Sequence, residues 1–129
     1  MNGFLAVAAG GALGASMRYG ISQLSVRHLP QGWPYGTFAV NILGSLAMGL
    51  LIGWLALKAE GVSQTTRLFL ATGVLGGFTT FSAFSLEVAE FLRTGDTGKA
   101  IAYAGLSLVL GVSALLLGRP GRAAMSSER

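Results

Sequence analysis

The sequence predicts an all-α membrane protein with four transmembrane helices, and two features of its composition lead to that prediction. Charged residues make up 11% of the 129-residue chain, against roughly 25% in a soluble domain, so a chain this short could not cover a surface that faces water. Four stretches, each close to the roughly 20 residues that cross a bilayer, contain no charged residue. They are residues 1–17, 35–57, 68–86 and 100–118.

These spans use most of the chain, so we expect a single membrane domain over residues 1–129. The spans are expected over about 3–24, 35–57, 67–92 and 100–118, with 119–129 as a polar tail. No Lys or Arg precedes the first apolar stretch, so we expect a retained helix there and not a cleaved signal peptide. The expected location is therefore the cell membrane, with several crossings.

The composition also excludes several functions. The chain has no cysteine and a single histidine, which removes thiolate chemistry and imidazole clusters. No nucleophile and base pair stands out, so we do not expect an enzyme. The Lys and Arg residues lie scattered between apolar runs and form no basic stripe, so we do not expect nucleic-acid binding. They are better suited to anchor helix ends at lipid headgroups.

The placement of these cations does not select an orientation in the membrane. With four spans, the termini and the connection between spans two and three share a side, which carries Lys58, Arg67, Arg119, Arg122 and Arg129. The other side carries Arg27, Arg93 and Lys99. Positive charges set orientation, so a chain this evenly charged can insert both ways and pair as an antiparallel two-fold homodimer. Insertion in one orientation, with both termini inside, is the alternative.

The third span contains glycines followed by hydroxyl side chains at its middle. Gly76 and Gly77 each weaken a helix by about 1 kcal/mol, and the hydroxyls that follow can bind freed backbone groups. Broken membrane helices occur only where the irregular backbone is buried in protein or lines a cavity. The pattern favours a third helix broken near its middle, at the twin-glycine step. The alternative is that the glycines only allow close helix packing.

Aromatic and hydroxyl side chains follow at spacings of one helical turn. Phe81 and Phe84 share one face, and Ser82 and Ser85 share another. Aromatic ring edges are positive, so rings held edge-on can stabilise a small anion, although packing or lipid contact is the ordinary role of Phe. Polar residues on spans two and four lie at a similar depth, namely Asn41, Tyr103 and Ser107. With no carboxylate at mid-depth, this set favours an anion over a cation.

Two charged residues fall inside predicted spans, where charges are functional candidates. Arg18 lies about two-thirds along the first span and could raise the anion concentration at a pore mouth, or extend to headgroups. Glu87 lies near the end of the third span, past the membrane centre, which suits a mouth or interface residue better than a proton carrier.

Three strings carry a family resemblance: GGALGASMRY at 10–19, GTFAVNILG at 36–44 and GGFTTFSAFS at 76–85. In this order and spacing they resemble the CrcB/Fluc fluoride channel family of bacterial and archaeal membranes, and the likeness covers the whole chain. Two positions depart from the family pattern. Ala83 stands where Thr is common and Leu46 where an aromatic residue is frequent, which leaves the fine detail of the polar track open.

The resemblance implies an antiparallel dual-topology homodimer that exports fluoride passively along two pathways. It also implies a structural Na⁺, not transported, that is held by the backbone carbonyls of Gly76 and Thr79 from both subunits. Pattern and resemblance together place along the fluoride pathway Asn41, Thr80, Phe81, Ser82, Phe84, Ser85, Tyr103 and Ser107, with Arg18 and Glu87 at the entrances.

Two other functions are weighed against this one. A proton-coupled four-span exporter of small cations would need a mid-membrane carboxylate that alternates between proton and substrate, and the first span has none. A membrane scaffold subunit that transports nothing would explain the small residues, but it leaves the polar cluster without a purpose.

Overall fold

The computed structural model describes residues 2–58 and 61–119, and within these ranges the chain is built from helices joined by short connections. Three long helices are α1 (Gly3–His28), α2 (Tyr35–Leu57) and α6 (Thr97–Gly118). Between α2 and α6 the chain forms α3 (Gln64–Arg67), a π-helical segment π1 (Leu68–Leu75), α4 (Gly76–Phe78) and α5 (Phe81–Arg93). An isolated bridge between Gln31 and Trp33 is the only β-type pairing in the described residues.

Within the described residues, four helical stretches are long and apolar enough to cross a membrane: Gly3–His28, Tyr35–Leu57, Gln64–Arg93 and Thr97–Gly118. The expected all-helical architecture with four spans is therefore confirmed. The first helix continues past its expected end at 24 to include Arg27 and His28, cations that are favourable near a helix C-terminus. The third and fourth stretches likewise begin a few residues before their expected starts at 67 and 100.

Polar residues set several helix ends. Asn2 Oδ1 accepts a hydrogen bond from Leu5 N at 2.8 Å at the start of α1, and Ser63 Oγ accepts one from Thr66 N at 3.1 Å at the start of α3. Both are N-caps that satisfy an otherwise free helical N–H. Gly95, with φ +86°, makes the turn between α5 and α6, a conformation that side chains strongly disfavour.

The bundle is held together by the packing of α1 on π1 and α4, and of α2 on α6. The first contact is close because it is made by glycines. A Cβ atom added at Gly77 would lie 2.7 Å from the carbonyl oxygen of Gly11, and one added at Gly73 would lie 2.9 Å from the Cα of Gly10. Small residues that let backbones approach are the usual means of joining membrane helices. The glycines of this span therefore serve close packing.

The helical backbone of the third span continues one residue past the twin glycines, to Phe78, and does not end at them. Gly76 has helical dihedrals of φ −62° and ψ −39°. Thr79 (φ −85°, ψ 158°) and Thr80 (φ −148°, ψ 121°) are extended, and α5 begins at Phe81. The expectation that the backbone departs at the Gly76–Gly77 step was wrong, because the contact of Gly77 with α1 keeps that step helical.

Candidate functional site

Asn41 of α2 binds the extended backbone of the third span with both ends of its carboxamide. Its Oδ1 accepts a hydrogen bond from Thr80 N at 2.8 Å, and its Nδ2 donates to Thr80 O at 3.0 Å. An unpaired backbone group inside a membrane costs several kcal/mol, so this double contact makes the extended residue tolerable there. Because a carboxamide has two N–H donors, one donor of Asn41 is left over after this contact.

Arg18 of α1 donates a hydrogen bond to the backbone of the third span just before the extended residues. Its Nε donates to the carbonyl oxygen of Gly77 at 3.2 Å, and in a continuous helix that carbonyl would accept from Phe81 N. Arg18 therefore contacts the backbone next to the extended segment, because the close packing of α1 against π1 and α4 brings its side chain level with Gly77. Its expected position at a pore entrance stays a prediction.

The two threonines complete the hydrogen bonding of the extended segment. Thr79 donates from both N and Oγ1 to Leu75 O, each at 3.1 Å. Thr80 Oγ1 accepts from Ala83 N at 3.2 Å and so caps α5. In a continuous helix, the amides of Thr80 and Ala83 would donate to the carbonyls of Gly76 and Thr79. Both amides donate instead to side chains, so these two carbonyls lack their helical donors.

The aromatic residues after the interruption form a row. The ring centroids of Phe81 and Phe84 lie 5.8 Å apart, and Phe84 lies 5.1 Å from Tyr103. Phe81 is 78% exposed and lines an open cavity of about 280 Å³ with Asn41, Ser45 and both threonines of the interruption. The row therefore runs from this cavity towards the interior of the bundle.

Glu87 is the centre of a second polar cluster, made by three spans. Thr37 Oγ1 donates to its Oε1 at 2.7 Å, and Tyr103 OH donates to its Oε2 at 2.6 Å. These are the short distances of hydrogen bonds to a carboxylate. Glu87 and Thr37 also line a cavity of about 920 Å³ at the α1–α2 connection, and the expected entrance at Glu87 stays a prediction. The sequence-predicted site lacked Thr37, and its position one turn before Asn41 on the same face was the available signal.

The three serines predicted along the fluoride pathway differ from one another in their surroundings. Ser82 Oγ lies 3.4 Å from Thr80 Oγ1, and both Ser82 and Ser85 are exposed on α5. Ser107 Oγ is buried, and no described residue offers it a hydrogen-bond partner. The structure thus brings together the interruption, the aromatic row and the Glu87 cluster, whereas no hydrogen bond within the described residues joins Ser85 or Ser107 to these groups.

This fold and site define a small multi-pass membrane protein whose polar groups gather at an interrupted helix, an arrangement typical of proteins that move ions. Residues 5–119 match the family model described as CrcB-like protein, camphor resistance (CrcB). The chain belongs to this family, so the resemblance drawn from the three sequence strings is confirmed.

Curated relatives match over nearly the full length of the chain. A protein of Hyphomonas neptunium is 74% identical over 118 residues, which is 92% of this chain and 93% of the relative. Relatives from Phenylobacterium zucineum and Caulobacter vibrioides (strain NA1000 / CB15N) are 52% and 48% identical with the same coverage. Each of the three is named fluoride-specific ion channel FluC.

Proposed function

We propose that this chain is a fluoride-specific ion channel of the cell membrane that lets F⁻ leave the cell passively and so lowers its toxicity. Relatives of that name, up to 74% identical over most of the chain, support the substrate. The observation that carries the mechanism is the extended Thr79–Thr80 segment, which is clamped by Asn41 and followed directly by the row from Phe81 to Tyr103.

A passive pore is sufficient for this task. When the surroundings of a cell are acidic, fluoride enters the cell as neutral HF, which dissociates at the higher internal pH and leaves F⁻ trapped as an anion. A negative interior drives an anion outward with about 2.3 kcal/mol per charge per 100 mV, so neither ATP nor proton coupling is required. The pore needs only to replace the hydration shell of a small ion at several weak sites.

The residues at hand supply replacements for that hydration shell. Phe81 and Phe84 offer positive ring edges, and Asn41 retains one amide N–H after its contact with Thr80. The exposed hydroxyl of Ser82 lies next to these groups. Fluoride would pass from this region along Tyr103 to the mouth, where Glu87 is held by two hydroxyl donors.

The proposed channel is a dimer, because a single copy leaves its polar face uncovered. No residue of α5 is buried within one chain, and Ser82 and Ser85 on it are exposed. Polar groups at this depth belong against protein or water and not against acyl chains. A second copy would cover them, and the even distribution of cations suits an antiparallel, dual-topology pair.

Dual topology can be tested directly because the chain has no cysteine. A single thiol placed by Gln31→Cys lies in the connection between α1 and α2, where the exposed residue faces one side of the membrane. In intact cells, an impermeant maleimide should label half of the copies, and permeabilisation should label the rest. Labelling of all copies or of none before permeabilisation would contradict the antiparallel dimer.

A structural Na⁺ fits the interruption. The carbonyls of Gly76 and Thr79 lack helical donors, since the amides of Thr80 and Ala83 donate to side chains, and carbonyl oxygens suit a hard cation. These two carbonyls, from both subunits, would hold the ion, which when bound supplies positive charge that fixes the interruption. Replacing sodium by a large organic cation should abolish fluoride flux. Unchanged flux would remove both residues from this role.

Fluoride efflux from liposomes, measured beside chloride, tests the channel itself. We expect rapid fluoride efflux that follows the membrane potential, and little chloride efflux. An exporter coupled to protons would instead show flux that depends on an imposed pH gradient, and a scaffold subunit would show none. Either result would overturn the proposal.

In this assay, Phe81→Ile and Phe84→Ile should each lower fluoride flux by about tenfold or more, which corresponds to a permeation barrier raised by roughly 1.4 kcal/mol. The reason is that isoleucine fills space but has no positive ring edge. Phe4→Ile is the matched control, since Phe4 is 90% exposed at the start of α1, far from the interruption. Unaltered flux in both pathway variants, with the dimer intact on gel filtration, would remove the rings from the pore.

A further inference from the structure

Tyr103 connects the aromatic row to the Glu87 cluster, and its ring lies among four other rings. It is 0% exposed, and its hydroxyl donates to Glu87 Oε2 at 2.6 Å. Three neighbours come from membrane-spanning helices, with ring centroids at 5.1 Å for Phe84, 6.1 Å for Phe91 and 6.3 Å for Phe38. The fourth is Trp33, at 5.4 Å with 29° between the planes. It is the one near-parallel ring, and it comes from the α1–α2 connection.

Trp33 is held in place by the short loop that carries it. The backbone carbonyl of Trp33 accepts a hydrogen bond from Tyr35 N at 2.8 Å, and the backbone of Trp33 pairs with Gln31 in an isolated bridge. The indole meets the ring of Phe38 at 5.7 Å and 79°, edge to face. Pro34 follows directly and restricts the backbone further. The indole therefore stacks in a fixed orientation on one face of the Tyr103 ring.

We propose that Trp33 is a positioning residue of the fluoride path: its indole holds the ring of Tyr103 in the orientation at which the phenol donates to Glu87. This inference rests on the proposed channel function. Trp33 also lines the cavity of about 920 Å³ that reaches Glu87 and Thr37. Without the indole, this face of Tyr103 would open to the cavity, the ring would rotate, and water would compete for its hydroxyl.

A mutant cycle on fluoride flux tests the inference in liposomes. Trp33→Leu should lower the efflux rate by roughly two- to tenfold, the factor that corresponds to the loss of one aromatic pair. Trp33→Phe, which keeps a flat ring, should restore most of the rate. In a Tyr103→Phe background, Trp33→Leu should cause no further loss, because the hydroxyl that the indole orients is absent. A residue that only stabilises the fold would lower the rate by the same factor in both backgrounds.

The control is the other tryptophan, since the chain has two. Trp54 lies 43% exposed near the end of α2, and Trp54→Leu should leave the flux unchanged. If Trp33→Leu does not form a dimer, the same cycle is run with Trp33→Phe, whose smaller loss of flux should again vanish in the Tyr103→Phe background. Equal losses in both backgrounds, or unaltered flux in Trp33→Leu, would overturn the role of Trp33 alone. Absence of fluoride flux in the unsubstituted protein would overturn the channel as well.

Discussion

The two halves of the third span are built differently on either side of Thr79–Thr80. Upstream, π1 and α4 lie against α1 along its length, and Gly73 and Phe78 are buried. Downstream, α5 has no buried residue and contacts chiefly α6. The upstream half is thus fixed within one subunit by backbone contacts. The downstream half carries the rings and hydroxyls, and none of its residues is buried within the chain.

The difference shows how a short chain can hold polar groups at mid-membrane depth. The interruption lies where glycine packing stops, and side chains from α1 and α2 satisfy the backbone there: Arg18 on Gly77 and Asn41 on Thr80. The closely packed half therefore acts as the support from which the open half is oriented. Substitutions in the two halves should accordingly have different effects, and those at the boundary should be the most severe.

Asn41→Leu should have the largest effect on stability. It keeps the side-chain volume but leaves the N–H and C=O of Thr80 without their partner, at a cost of about 1–3 kcal/mol for each unpaired group. We expect a lower thermal midpoint in detergent and a loss of fluoride flux. Ser45→Ala, in the same cavity, is the control and should change stability far less. Equal stabilities of the two variants would show that the clamp is not needed for folding.

Gly77→Ala should have the second largest effect on stability. It should disturb the packing of the upstream half of the third span on α1 and not the rings of the downstream half. The new methyl group would lie 2.7 Å from the carbonyl oxygen of Gly11, and such overpacking costs roughly 1–3 kcal/mol. Gly105→Ala is the control, because a Cβ at Gly105 meets nothing within 4 Å and alanine favours the helix. Gel filtration and thermal unfolding should separate the two variants. A stable Gly77→Ala protein would argue that the upstream half is not closely packed.

The sequence was sufficient for features that depend on local pattern. Uncharged runs located the four spans, and glycines followed by threonines indicated an irregular third span. The exact residues that leave the helix depended on a tertiary contact, that of Gly77 with Gly11, which no local propensity reveals. The depth of Asn41 was predictable, but its engagement with the backbone of Thr80 was not, because the two residues are joined only by the packing of α2 on the third span.

The same limit applies to the cluster around Glu87. Glu87 was expected near an entrance from its position in the third span, yet its two hydrogen-bond donors come from α2 and α6. Trp33 carried only the ordinary signal of an aromatic residue at a membrane interface. Its stacking on Tyr103 depends on how the α1–α2 connection folds back over the bundle, and that path is set by contacts between distant segments.

The smallest expected effect concerns the two hydroxyl side chains that cap helices of the third span, one at its start and one near its middle. Ser63 caps α3 where the backbone is exposed, and Thr80 caps α5 within the membrane. Thr80→Ala should cost about 1 kcal/mol, because the hydroxyl on Ala83 N lies at the middle of the third span, away from the bulk water that reaches a helix end. Ser63→Ala should cost less, about 0.5 kcal/mol at the low end of the range for such caps, since water can take the place of the hydroxyl at the exposed end. Thermal unfolding of both variants in detergent measures the difference, and Thr80→Ser should restore the midpoint. Equal costs would mean that water reaches the interruption as freely as it reaches the membrane surface, and the extended segment would then have to lie in an aqueous vestibule.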